Sequence, residues 1–401
     1  MKTYWDIMKT PGVARVLLSQ LTARFPFGMV SLAFLIHIEH VYHSYAAAGA
    51  VLGALALGQA LVGPITSRMM GIFGIRPVIV STIVVVSITV CVMVLFPLPI
   101  WVLMVLGLVS GASMPPIQPA VRTMYPKMVP STKLTPLFSL DASAQEIIWI
   151  VGPVLTTFVA VQISSAAAIF LAVGFFIVGG AWFLTSPIVG RVRIPRSKTR
   201  FGGVLKRPTV IISTVVGLLL VASFAAVEAG IVAIFGNGGP TAGWVLAIFA
   251  LGSLFGGLAL GHREISSFSL TARMFVVAAG MGLAVFSTDF WWLSIMLFIS
   301  GIGVAPALTV LFANVSATLK FSETAEAYAW IGSGQLIGVG MGSAIAGLTI
   351  DAFGPAAAIL VAALFAGTGT VAALIAKPWS PDLRNRDLSP IPDTEPIPVQ
   401  H

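Results

Sequence analysis

Three charged residues stand inside long apolar stretches of this chain: Arg24, Glu146 and Glu228. A charge at bilayer depth costs about 2.5–3.5 kcal/mol or more, so it needs a partner or a function. A carboxylate in such a place suits proton carriage or recognition of a cation. Glu228 has no obvious basic partner in its half of the chain. A buried carboxylate without a partner readily takes a proton. Glu228 is therefore the first candidate for proton coupling or cation recognition; the plainer alternative is that it faces a wet vestibule. Arg24 and Glu146 each lie ten residues into a predicted helix, both entered from the same side. Both then sit about 15 Å deep, at about 1.5 Å of rise per residue. They are expected to pair, either as a fixed ion pair or as one that breaks when Glu146 takes a proton or a cationic substrate arrives. Asp141 and Glu326 begin their spans and are expected near the headgroups.

Uncharged polar groups complete the candidate lining: Gln118, Asn314, and the pair Gln145 and Gln335. Phe25, Phe27, Trp149, Tyr328 and Trp330 offer aromatic faces. The candidate substrate-binding set is Arg24, Phe27, Gln118, Glu228, Asn314 and Gln335, with Glu228 and Glu146 as proton-coupling residues. A lining that is mostly apolar with a few acids suits amphipathic or cationic molecules. Sugars would demand more polar partners. His37, Glu39, His40 and His43 share one turn, but histidines at a membrane interface explain them more simply than a metal. The chain has no Gly-x-x-x-x-Gly-Lys loop for a nucleotide phosphate. Its single cysteine, Cys91, excludes a disulfide within the chain. No catalytic constellation, metal site or cofactor is expected, and an enzyme is not.

The elements that position these residues follow from composition. Hydrophobic residues make up 57% and charged residues 9% of 401 residues, against a usual charged share of about 25%. So few polar groups do not cover a soluble surface of this size. Apolar runs long enough to cross a bilayer recur throughout. Twelve such spans are predicted. Spans 1 to 6 begin near Ala14, Tyr45, Val78, Ile100, Pro136 and Ala166. Spans 7 to 12 begin near Pro208, Thr241, Met274 (ending near Thr288), Trp291, Glu326 and Pro355. Of the 22 basic residues, 21 fall in turns of one parity; Arg24 is the exception. This is the positive-inside pattern, and it predicts both termini on the cytoplasmic side. The net charge of +8 therefore marks membrane orientation, and nucleic acid is not an expected partner.

The densest basic run, Arg191, Arg193, Arg196, Lys198, Arg200, Lys206 and Arg207, divides the chain. The expected units are an N-terminal half (1–186), a basic cytoplasmic linker (187–207), a C-terminal half (208–376) and a disordered tail (377–401). The halves repeat. At an offset of 190, Ser110-Gly111 matches Ser300-Gly301, Pro116 matches Pro306, Ser143 matches Ser333 and Gln145 matches Gln335. Near an offset of 194, Ala56-Leu57-Gly58 matches Ala250-Leu251-Gly252. Six spans separate the halves, so the repeats are parallel.

Two parallel six-helix repeats joined by a basic loop resemble the Major Facilitator Superfamily. The loop after span 2, from Gly63 to Arg76, is similar to that family's signature loop, with Gly74 and Arg76 in place. The family's acidic residue falls at Gly71 and its following basic residue at Ile72. The latch formed by that charge pair is then either weaker here or supplied by other residues. Gly152-Pro153 in span 5 is similar to the family's exporter-associated motif, with Thr156 and Thr157 where paired glycines are usual. The resemblance implies that spans 1, 4, 7 and 10 line a central cavity and that spans 2, 5, 8 and 11 form a moving seam. Glycines in the seam spans (Gly49, Gly53, Gly58; Gly252, Gly256, Gly257; Gly334, Gly338, Gly342) serve either tight packing or smooth rocking of the halves.

The expected fold is an all-α membrane protein of twelve transmembrane helices in two parallel repeats. The expected function is secondary active transport by alternating access, as proton-coupled efflux of a small amphipathic or cationic compound. The alternatives are a proton-coupled importer of a sugar or organic acid and a non-transporting receptor or scaffold. The expected setting is the cell membrane, with a small-molecule substrate, protons and lipid as partners of a monomer.

Overall fold

A computed structural model describes residues 2–235, 241–261 and 263–393. Among these residues, eleven helices are long and apolar enough to cross a membrane. A twelfth, Ser269–Ala284, is apolar but shorter. After a short helix α1 (Lys2–Met8), span 1 is formed by α2 (Val13–Arg24) and α3 (Val30–Tyr42). Span 2 is α4 (Tyr45–Phe73) and span 3 is α5 (Ile75–Leu95). Span 4 is α6 (Ile100–Ala112) with α7 (Ile117–Met124), span 5 is α8 (Leu134–Gln162) and span 6 is α9 (Ser165–Leu184). The linker carries α10 (Pro187–Arg191). The second half contains α11 (Pro208–Phe235), α12 (Thr241–Leu260), α13 (Ser269–Ala284), α14 (Phe290–Thr318), α15 (Phe321–Phe353) and α16 (Ala356–Ile375), which are spans 7 to 12. Span 9 lies several residues earlier than expected. Asn237–Pro240, beyond span 7, and His262 lie outside the described residues.

In lipid a backbone must satisfy its own polar groups, so apolar runs become helices and breaks have specific causes. Span 1 breaks at Phe25-Pro26-Phe27-Gly28, which forms a 3-10 turn around a proline that cannot donate an N–H. Span 4 breaks at Pro115-Pro116, where two donors are lost in succession. Helix starts are set by side-chain caps. Ser44 accepts from the Ala47 N–H, Ser164 from that of Ala167, and Asp289 from those of Trp291 and Trp292.

Most of the seam-span glycines are packed inside their own half. A side chain on Gly58 would strike the backbone of Leu108 in span 4, and one on Gly252 or Gly256 the backbone of span 10. Gly338 and Gly342 face the backbone of span 7 at Leu218 and Ala222. Gly257 differs, because a side chain there would fall on Ser143 of the opposite half. Close packing within each half, rather than smoothness between halves, is what these glycines mainly provide.

Six side-chain hydrogen bonds join the halves among the described residues. All lie in the part of the bundle nearer the basic turns. The Gly257 carbonyl accepts from Tyr4 (3.1 Å) and Ser139 (2.6 Å). Ser333 donates to the Ala60 carbonyl at 2.7 Å. Thr324 meets Thr123 at 3.2 Å. Arg68 pairs with Glu326 at 2.9 Å. The halves therefore close at their basic end.

The tail departs from the disorder that its Pro, Asp and Arg content suggests. Residues 377–393 run back over the second half. The Leu383 N–H donates to the Ile265 carbonyl, the Phe321 N–H to that of Ile391, and the Ile391 N–H to that of Leu319. Ser316 donates to the Leu388 carbonyl, and Asp393 accepts from Ser322. Leu383 and Leu388 are buried, so a few apolar side chains outweigh the composition around them.

Candidate functional site

The expected Arg24–Glu146 pair does not form. Arg24 donates instead to Gln20 (2.8 Å), to Asp141 (3.4 Å) and to Gln145 (2.5 Å). The reason is helical phase. Asp141 and Gln145 are four residues apart and share one face of α8. Glu146 is one residue further round and points toward span 8, where it accepts from Ser253 at 2.8 Å.

Asp141 is not at the headgroups. It is fully buried and holds two arginines, Arg24 at 3.4 Å and Arg122 at 3.1 Å. Gln20 adds a hydrogen bond to the same carboxylate at 2.9 Å. Arg122, counted above in a basic turn, is 2% exposed. Its two terminal nitrogens reach the Gln118 amide oxygen at 2.5 and 2.7 Å, with that amide oriented to satisfy both ends. The flat face of its guanidinium lies 3.4 Å from the Phe312 ring centroid in the other half. The result is a buried network of two cations, one anion and three glutamines below the centre of the bundle. A buried ion pair repays its desolvation only when its remaining hydrogen-bonding groups are satisfied, and here most of them are.

The two acids expected to couple protons, Glu228 and Glu146, have no cation among the described residues. Glu228 is exposed on α11. It lies eleven residues, close to three turns, beyond Gly217, which faces Leu311 of α14 and Ile331 and Gln335 of α15. Glu228 therefore shares that inward face, away from the closed end. Among the described residues neither Glu228 nor Glu146 makes an ion pair.

The other candidates separate. Gln335 is half-buried beside Gly217. Gln118 belongs to the arginine network. Phe27 packs edge-on against Phe176 of span 6, with centroids 6.2 Å apart. Asn314 is 2% exposed near the basic end of α14, and its side-chain oxygen has no partner among the described residues. His37 turns to Ser165 at 3.0 Å. Tyr125, fully buried near Asp141, has no partner or spacing in the sequence that would mark it.

The missing latch of the span 2 loop is supplied elsewhere. Glu326 is buried rather than at the headgroups, and it binds Arg68 and the Gly202 N–H of the linker, at 2.9 and 2.8 Å. Arg68 also donates to the Thr199 carbonyl, and the Thr199 hydroxyl to Glu323.

A family model described as Major Facilitator Superfamily matches residues 16–233, just over half of the chain. No curated protein matches the sequence. Solved structures share the fold at 13% identity. A bacterial homologue of the iron transporter ferroportin, in an outward-facing state, gives a TM-score of 0.69 over 92% of this chain and 99% of that one. The E. coli fucose:proton symporter FucP gives 0.67 over 92% and 99%. The human organic anion transporter MFSD10 (TETRAN) gives 0.67 over 90% and 99%.

Proposed function

Because the chain belongs to the Major Facilitator Superfamily and is a multi-pass secondary transporter, we propose that it carries out proton-coupled efflux of a small amphipathic or cationic compound. One observation carries this reading. Glu228 and Glu146 stand in the bundle without a cation, whereas both buried arginines are committed to Asp141. A carboxylate in an apolar span is relieved of its desolvation cost by a proton or by a bound cation, and the two compete. That competition is exchange: proton entry from outside releases the cation, and cation entry from the cytoplasm releases the proton.

With the basic end on the cytoplasmic side, the closed basic end corresponds to an outward-facing state. In that state Glu228 stands toward the outer opening and Glu146 stands at the closed seam. Glu146 accepts from Ser253 across the halves, so its protonation alters a contact between the moving bodies. Glu228 is the site for proton and substrate, and Glu146 reports occupancy to the seam.

The test is movement of a fluorescent lipophilic cation by protein reconstituted in sealed vesicles under an imposed pH gradient. Wild type is expected to exchange the cation for protons. Glu228→Gln and Glu146→Gln are each expected to lose at least about tenfold of the gradient-driven rate, about 1.4 kcal/mol. Wild-type rates in both variants, or uptake of sugars or organic acids in place of cations, would overturn the reading. A chain that moved nothing would instead be a receptor or scaffold.

A further inference from the structure

The linker between α9 and α11 carries the densest charge in the chain. Arg191, Arg193, Arg196, Lys198, Arg200, Lys206 and Arg207 are all exposed. The backbone beneath them is pinned, since Val189, Ile194 and Val204 are buried. Arg76, also exposed, extends its guanidinium against Gly190 and adds an eighth cation. The two nearby acids are taken by other groups: Glu326 by Arg68 and the Gly202 N–H, and Glu323 by the Thr199 hydroxyl. Among the described residues, none of the seven linker cations makes an ion pair. A fixed, uncompensated block of charge thus lies where α9 leaves the bilayer at Leu184 and α11 enters it at Pro208.

We infer that this linker is a docking surface for anionic phospholipid headgroups in the leaflet at the basic end. The argument is charge complementarity at the one depth where such headgroups are concentrated; each juxtamembrane cation adds about fivefold to the attraction. The linker backbone is bonded to the Arg68–Glu326 latch, so a headgroup held there also holds the linker against the closed end.

The test uses full-length protein in a neutral detergent, titrated with fluorescent phosphatidylglycerol and, separately, fluorescent phosphatidylcholine. Wild type is expected to prefer the anionic lipid. A triple Arg191→Gln, Arg193→Gln, Arg196→Gln variant is expected to bind it about a hundredfold more weakly, at about fivefold per cation. If that variant does not fold, wild type in about 1 M salt, where the screening length is about 3 Å, is expected to lose the preference. The proposal is overturned if the variant binds within about twofold of wild type or the preference survives in high salt. It also fails if the two lipids bind equally, or if inorganic phosphate displaces the lipid at similar concentration, which would mark a site for free anions.

Discussion

The two halves share a plan and differ in what fills it. Gly28 of span 1 packs on Gly152 of span 5 as Ala222 of span 7 packs on Gly342 of span 11. These pairs keep the offsets of 194 and 190 seen in the sequence. In that register Arg24 corresponds to Leu218, Arg122 to Phe312 and Asp141 to Ile331. The first half thus has a charged network where the second has three apolar side chains. The equivalent residues Arg122 and Phe312 meet face to face between the halves. Phe138 and Tyr328, also equivalent, pair with centroids 6.4 Å apart. At these three positions the second half stands without charge. The arginine network of the first half is therefore an addition to the plan and not a requirement of it.

The sharpest test of that comparison removes one member of the network. Asp141→Asn leaves two buried arginines without their anion and is expected to cost about 3–5 kcal/mol, read as thermal unfolding in detergent. Ile331→Val at the equivalent position is expected to cost only about 0.5–1.5 kcal/mol. Replacing all three at once by their counterparts (Arg24→Leu, Arg122→Phe, Asp141→Ile) should recover most of the loss. A triple variant as unstable as Asp141→Asn would break the equivalence.

A second comparison sets packing within a half against packing between halves. Gly342→Leu drives a side chain into the span 7 backbone and is expected to destabilise by about 1–3 kcal/mol. Gly257→Leu meets Ser143 of the other half, so the same strain should shift the balance between closed and open basic ends, by about 5- to 150-fold. Labelling of a cysteine placed at Thr123, in a Cys91→Ser background, reads that shift. Equal labelling in Gly257→Leu and its parent would remove Gly257 from the seam.

The smallest effect belongs to the aromatic contact on the axis. Phe312→Leu is expected to lose about 0.5–2 kcal/mol when Arg122 is present and less when it is replaced by methionine. Additive losses in that double-mutant cycle would show that Arg122 and Phe312 merely touch.

The spans, the repeat and the basic parity were legible because each is a pattern over many residues. The pairing of Arg24 was not, because depth alone cannot give helical phase, and a single residue of offset separates Gln145 from Glu146. A signal was nonetheless present. Gln20 and Arg24, Gln118 and Arg122, and Asp141 and Gln145 are each four residues apart, which aligns three polar pairs on three helix faces. Arg122 was hidden by its position near a span end, where basic residues normally meet water. The packing of the tail was not legible because its buried apolar side chains, Leu383 and Leu388, are too sparse to change its average composition.

The seam has a mechanical meaning. Ser143 lies on Gly257 in one groove, and Ser333 lies near Gly63 in the repeat-related groove. Each is a serine set against a glycine, so these contacts behave as a pair of plain bearings. Stiffness is invested in the two lever arms, and the six side-chain bonds between them must be unhooked for one arm to slide past the other. Among the described residues the Arg68–Glu326 clasp is the one ion pair across the joint, at the rim where its leverage is greatest.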